Sequence, residues 1–120
     1  MSWGMGVYLK IKRYKADAMF SEYIRARDRV CQYCLQKEAS EVHHHFGRRF
    51  WSVRFDVDNC VGLCFTCHRL FHESPIVQVK WWEKRLGQDG YQKLMIRANN
   101  IEKKDWKMAE LRVKAMMEEL

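Results

Sequence analysis

Nine side chains carry most of the chemistry this chain could do. Two cysteine pairs share one spacing, Cys31-Gln-Tyr-Cys34 and Cys64-Phe-Thr-Cys67, and all five histidines (His43, His44, His45, His68 and His72) lie between or just after them. Two C-x-x-C knuckles can present four thiolates tetrahedrally, which suits structural Zn2+. A single knuckle would equally suit a redox dithiol, but a matched pair favours the metal. The 29 residues between the knuckles exceed the usual zinc-ribbon spacing, so something must be folded there. Cys60 falls outside the pattern and reads as a small buried apolar residue.

The histidines suggest a second centre. His68 and His72 are four residues apart, so on a helix their rings share a face and could ligate one divalent cation. On a strand, His43 and His45 point to one side and His44 to the other. If His43 binds the cation, His44 is left to address a substrate from a neighbouring position. The blander readings are an extended zinc site, a second structural metal, or plain surface polarity. Four cysteines already complete a zinc sphere, which weighs against the first of these.

These residues need elements to hold them. Residues 7–12, Val-Tyr-Leu-Lys-Ile-Lys, read as a short extended stretch. From Tyr14 to about Val30 the apolar residues Ala16, Met19, Phe20, Tyr23 and Ile24 follow a helical period. Arg25, Arg27 and Arg29 sit near its end, suited to the helix dipole and available to phosphate. Glu41 to Phe46 reads as a strand, Gly47 as a turn, residues 48–58 as a basic, aromatic loop, and Cys60 to Leu63 as a second strand. The second knuckle opens a helix reaching about Glu73. Ser74-Pro75 restarts the chain as N-cap and first helical residue, and that helix stops at Gly87. Asp89 could cap a further helix through Ala98. Asn100 could cap the last, whose stripe is Trp106, Ala109, Val113, Met116 and Leu120. Phe50 and Trp51 could stack on bases, although core packing is the better reading. The tryptophans 81, 82 and 106 belong to the core or to a contact with a second copy.

The 120 residues fit one domain with a modest core, for which a metal staple is a plausible brace. No run of eighteen apolar residues is present, and the start, MSWGMGVYLKIKRYK, lacks an apolar run with a cleavage site. Neither a membrane span nor a secretory signal is expected. The net charge of +7 is uneven: residues 1–55 hold eleven Lys and Arg against five acids, residues 56–120 eleven against ten. A basic first half suggests a polyanionic partner, most simply nucleic acid, with a solvated face as the alternative.

The strings Glu41-Val42-His43-His44-His45-Phe46, Asp58-Asn59-Cys60-Val61-Gly62-Leu63-Cys64 and Cys67-His68-Arg69-Leu70-Phe71-His72 resemble the HNH endonucleases. The likeness covers residues 31–72, with knuckle, paired His, Asn, knuckle and trailing His in order. A looser likeness, to phage HNH proteins of the NinG (Rap) recombination type, extends over residues 17–73. It is carried by Phe20 to Asp28 before the first knuckle and Gly47 to Asp56 after the histidines. It departs at His68, where that subfamily has Asn, so the broader HNH family is the level taken here.

The resemblance implies an α+β fold: a small ββα-metal finger braced by a four-cysteine zinc site and flanked by helices. One nuclease domain would span residues 1–120, with a helix at 14–30, the HNH core at 31–73 and helices at 75–120. It implies structural Zn2+ on Cys31, Cys34, Cys64 and Cys67, and a catalytic divalent cation on His43, His68 and His72. His44 would be the general base and Asn59 the residue holding its loop. His45 stands where the family has an aliphatic residue, so a register shifted by one, with His44 as ligand and His45 as base, stays open. Arg48, Arg49 and Arg54 would clamp flanking phosphates. All-nitrogen ligation favours Zn2+ or a transition metal over Mg2+, but the family uses several ions, which leaves Mg2+, Mn2+, Ni2+ and Zn2+ open. The implied function is metal-dependent hydrolysis of DNA in the cytoplasm of a bacterium or phage-infected host. A second copy or a phage protein is a candidate partner, and no membrane is involved. The alternative is an inactive, zinc-braced DNA-binding module or an accessory in packaging or recombination.

Overall fold

The computed structural model describes residues 14–120. The extended stretch expected at residues 7–12 lies outside the described residues. The elements run α1 (Lys15–Asp28), β1 (Glu41–His44), β2 (Cys60–Leu63), α2 (Phe65–Glu73), α3 (Pro75–Ala98) and α4 (Trp106–Met117). Two single turns of 3-10 helix, Trp51–Val53 and Val57–Asn59, occupy the long connection between the strands. The described residues thus form a small α+β fold with a two-stranded sheet and four helices.

The strands form an antiparallel hairpin that pairs Glu41 with Leu63, Val42 with Gly62, His43 with Val61 and His44 with Cys60. Alternation gives each face its own cover. Val61 and Leu63 pack with Phe71 of α2 and Trp82 of α3, in a cluster that also contains Cys31, Cys64 and Cys67. On the other face Cys60 and Val42 pack with Phe20 and Ile24 of α1 and Val113 of α4. A third cluster, Val53 with Leu94 and Ala98, seats the inter-strand loop on the end of α3. The hairpin is therefore a middle layer, and neighbouring residues of β1 face different chemical surroundings.

Gly62 is required by this layering. A Cβ there would come within 2.8 Å of the Ala39 Cβ and 3.2 Å of the Asp28 Cβ. The Gly62 N–H donates to Asp28 Oδ2 at 2.7 Å, tying the end of α1 to β2. Asp28 also accepts from Arg27 at 2.7 Å, and Arg27 reaches the carbonyls of Val57 and Cys60 at 2.9 Å each.

Most boundaries follow the local chemistry. Ser74 Oγ accepts from the Val77 N–H and Pro75 opens α3. Gly87, at φ 75° and ψ 164°, breaks α3 into two segments as expected, yet the helix resumes directly. Two expectations need correction. β1 ends at His44 rather than Phe46, because the Asn59 side chain takes over the Phe46 backbone groups. The last helix is capped by Asp105, which accepts from the Met108 N–H at 3.0 Å, not by Asn100. Leu120 falls beyond α4 and is 63% exposed.

Candidate metal centres and the groove beside them

The sulfurs of Cys31, Cys34, Cys64 and Cys67 all lie within 4.8 Å of one another. The first pair belongs to a tight turn after α1, in which Cys31 N–H donates to Lys37 O at 2.7 Å and Leu35 N–H to Cys31 O at 2.9 Å. The second pair straddles the start of α2, with Cys64 as its N-cap. Burial opposes ionisation of the Cys31 thiol, but backbone N–H groups of Cys34, Cys64 and Tyr33 converge on it and bring it down to about 7. Such N–H groups aimed at sulfur stabilise a thiolate, the form a metal needs. Four free thiols in tetrahedral number, three of them on buried residues, fit a structural metal such as zinc.

The second centre joins β1 to α2. Ring nitrogens of His43, His68 and His72 also lie within 4.8 Å of one another. The His68 and His72 Nε2 atoms are 3.1 Å apart. His43 is 3% exposed, and its Nδ1 is a buried nitrogen with no hydrogen-bond partner. Such a buried nitrogen is costly unless something binds it. Burial, followed by the nearby histidines, lowers His43 to about 3, so its imidazole is neutral at pH 7. His72 is lowered for the same two reasons. Three clustered imidazoles, one of them with an orphaned lone pair, fit a divalent cation of the Zn2+ or transition-metal type.

Supporting groups complete this centre. Glu41 Oε1 accepts from His68 Nδ1 at 2.6 Å, which leaves Nε2 as the donor nitrogen of His68. Gln78 Oε1 lies 2.6 Å from His43 Nε2 and 2.9 Å from His45 Nδ1. Sequence reading missed both. Glu41 was legible: it lies two residues before His43 on a strand, hence on the same face. Gln78 was not, since only the packing of α3 on α2 brings it there.

His44 takes the opposite face. It lines a groove of about 450 Å3 with Phe20, Ser21 and Arg25 of α1, and Glu41 and Arg48. Its Nε2 is 3.2 Å from the Arg54 carbonyl, so Nε2 carries the hydrogen and Nδ1 the lone pair. Burial lowers it to about 4 and keeps it neutral. The structure brings His43, not His44, to His68 and His72. His45 turns inward, toward Gln78 and Tyr91 rather than the groove.

Asn59 is fully buried, and its side chain is bonded to loop backbone. Its Nδ2 donates to Phe46 O at 2.9 Å and Val53 O at 3.0 Å, and its Oδ1 accepts from Phe46 N at 2.8 Å. It clasps both ends of the loop that follows the histidines, so it positions rather than reacts.

The arginines divide. Arg54 is 3% exposed and makes a two-pronged ion pair with Asp17, at 2.8 and 2.7 Å, beneath the Trp106 ring. It cannot reach a phosphate, which corrects its expected role. Arg27 is likewise engaged with main-chain carbonyls. Arg25 and Arg49 are exposed and Arg48 is half-buried at the groove. Phe50 and Trp51 pack internally, Phe50 on Phe46 and Trp51 on Phe55 and Trp106. No helix among the described residues is long and apolar enough to cross a membrane. Comparison with protein-family models, curated proteins and solved structures finds no match for this chain.

Proposed function

We propose that the chain is a metal-dependent DNA endonuclease of the HNH type, its ββα-metal finger formed by β1, β2 and α2 and braced by Zn2+ on the four cysteines. One observation carries the reading. Adjacent strand residues present two different neutral imidazoles: His43 at a three-histidine cluster with an orphaned Nδ1, and His44 in a groove with its Nε2–H held by a main-chain carbonyl. Structural zinc needs only the first centre, so a second cluster beside a groove argues for chemistry there.

His43, His68 and His72 would hold the cation. When bound, it supplies Lewis-acid stabilisation to the scissile phosphate and to the departing 3′-oxygen. His44 Nδ1 takes the proton from the water whose oxygen attacks phosphorus. A pKa of about 4 keeps this base free at neutral pH, and phosphate charge entering the groove raises it toward a more effective value. Arg25 and Arg48 flank His44 and hold neighbouring phosphates. Glu41 orients His68, and Asn59 fixes the loop behind His44.

The test is nicking of supercoiled plasmid by zinc-braced protein with added Mg2+, Mn2+, Ni2+ or Zn2+, then with EDTA, then with the cation restored. Nicking that follows the cation is expected. DNA binding without cleavage under every cation would favour an inactive binding module.

A further inference from the structure

Behind the three-histidine cluster lies a second row of polar groups. Gln78 Oε1 faces two ring nitrogens, His43 Nε2 at 2.6 Å and His45 Nδ1 at 2.9 Å. His45 Nε2 in turn meets the Tyr91 hydroxyl at 2.7 Å. The amide nitrogen of Gln78 donates to Phe71 O at 3.2 Å, so the amide oxygen must face the histidines. An amide oxygen only accepts. Both His43 Nε2 and His45 Nδ1 therefore carry hydrogens. The remaining ring nitrogen of His45, Nε2, is paired with the Tyr91 hydroxyl, which holds the ring in place. The hydrogens facing Gln78 are fixed by its oxygen, and the outcome at the far end is His43 with hydrogen on Nε2 and a bare Nδ1. That Nδ1 is the buried nitrogen without a partner.

We propose that Gln78, steadied by Phe71 O and by the His45–Tyr91 pair, is the positioning residue of the three-histidine site, locking His43 in the one tautomer whose lone pair faces His68 and His72. The inference rests on the reading of that cluster as a cation site. It assigns His45, which a shifted register would make a base, to the support of the ligand His43. With Nδ1 protonated instead, His43 could not ligate, and its Nε2 lone pair would face the Gln78 oxygen. The site has two orienting groups of different charge. His68 is oriented by the Glu41 carboxylate and His43 by a neutral amide, so the buried ligand is aligned without adding a charge to the core.

The experiment uses full-length, zinc-braced protein. Nitrogen-15 NMR of the imidazoles reads the His43 tautomer before any second metal is added, and calorimetric titration with Ni2+ reads the three-histidine site. Wild type is expected to show a bare Nδ1 on His43. Gln78→Leu, which cannot accept, is expected to show mixed or reversed His43 tautomers and Ni2+ affinity lower by about 10- to 100-fold, the usual cost of losing such an orienting partner. Gln78→Glu keeps an acceptor and is expected to keep the tautomer and hold Ni2+ within a few-fold of wild type, which guards against a Gln78→Leu protein that fails to fold. A protonated Nδ1 in wild-type His43, or Gln78→Leu binding Ni2+ as wild type does, overturns the proposal. A locked, bare Nδ1 in a wild type that takes up no Ni2+ upholds the tautomer lock and sinks the cation site instead.

Discussion

At the scale of residues, identical side chains do unlike work because burial and partners differ. Arg48, Arg49 and Arg54 look alike in sequence, yet Arg54 is buried on Asp17. Removing one partner of a buried pair leaves an uncompensated charge, so Asp17→Asn should destabilise the fold by about 3–5 kcal/mol in chemical denaturation. The Asp17 carboxyl sits below the usual carboxylate range because the hydrogen bonds and charge of Arg54, with the Tyr14 N–H, outweigh the opposing effect of its burial. A carboxylate with a depressed folded pKa stabilises fully above its unfolded value and loses that contribution as pH falls through the folded one. The stability gap between wild type and Asp17→Asn should thus be constant above about pH 5 and narrow below about pH 4. A gap that does not change between pH 7 and pH 3 would contradict the pairing. Sequence reading found the two cysteine knuckles and the His68–His72 pair because ligand spacing is local, whereas His43 joined them only through the family resemblance. It misjudged Arg54 because its partner lies 37 residues away on α1.

At the scale of elements, the hairpin is held by two devices that can be removed one at a time. The two cysteine knuckles join the turn after α1 to the start of α2. Structural zinc contributes roughly 10 kcal/mol or more in small zinc domains, against a total stability of about 5–15 kcal/mol for most folds. Cys67→Ser should therefore unfold the hairpin, seen as loss of dispersed amide signals and of bound zinc. Asn59 closes the inter-strand loop with three hydrogen bonds, and leaving those backbone groups unmet should cost on the order of 3 kcal/mol in Asn59→Ala. Asn59→Asp should give no rescue, since it sets a carboxylate against two carbonyl oxygens. Thermal unfolding checks both variants, and wild-type stability in Asn59→Asp would refute the clasp. The strands and helix starts were legible because Ser74-Pro75, the C-x-x-C turns and period-2 alternation act locally. The end of β1 was not, because a side chain fifteen residues past His44 ends it. The true cap of α4 was missed because Asn100 and Asp105 are both good caps in sequence, and only the path of the chain selects between them.

At the scale of the whole molecule, charge counts overstated what is available to a polyanion. Arg27 and Arg54 are engaged inside, and on the proposed reading Arg25 and Arg48, which line the groove, are the arginines placed to address DNA. Phosphate contacts carry no sequence information, so affinity should fall steeply with salt, by about 0.9 log units per log unit of salt for each phosphate neutralised. Arg25→Ala and Arg48→Ala should each flatten that slope by about one phosphate on every duplex tested, in a salt series of binding constants. Unchanged slopes would move the DNA path elsewhere. The central claim, that His44 is the base beside a cation held by His43, His68 and His72, has one direct test. Single-turnover cleavage of plasmid is measured for wild type, His44→Ala and His43→Ala, with Ni2+ uptake at the histidine site titrated on the same zinc-braced preparations. The account predicts that His44→Ala keeps the Ni2+ and loses roughly 10²–10⁴ in rate, while His43→Ala loses both. Cleavage at the wild-type rate by His44→Ala, or loss of Ni2+ from His44→Ala with retention by His43→Ala, would contradict it.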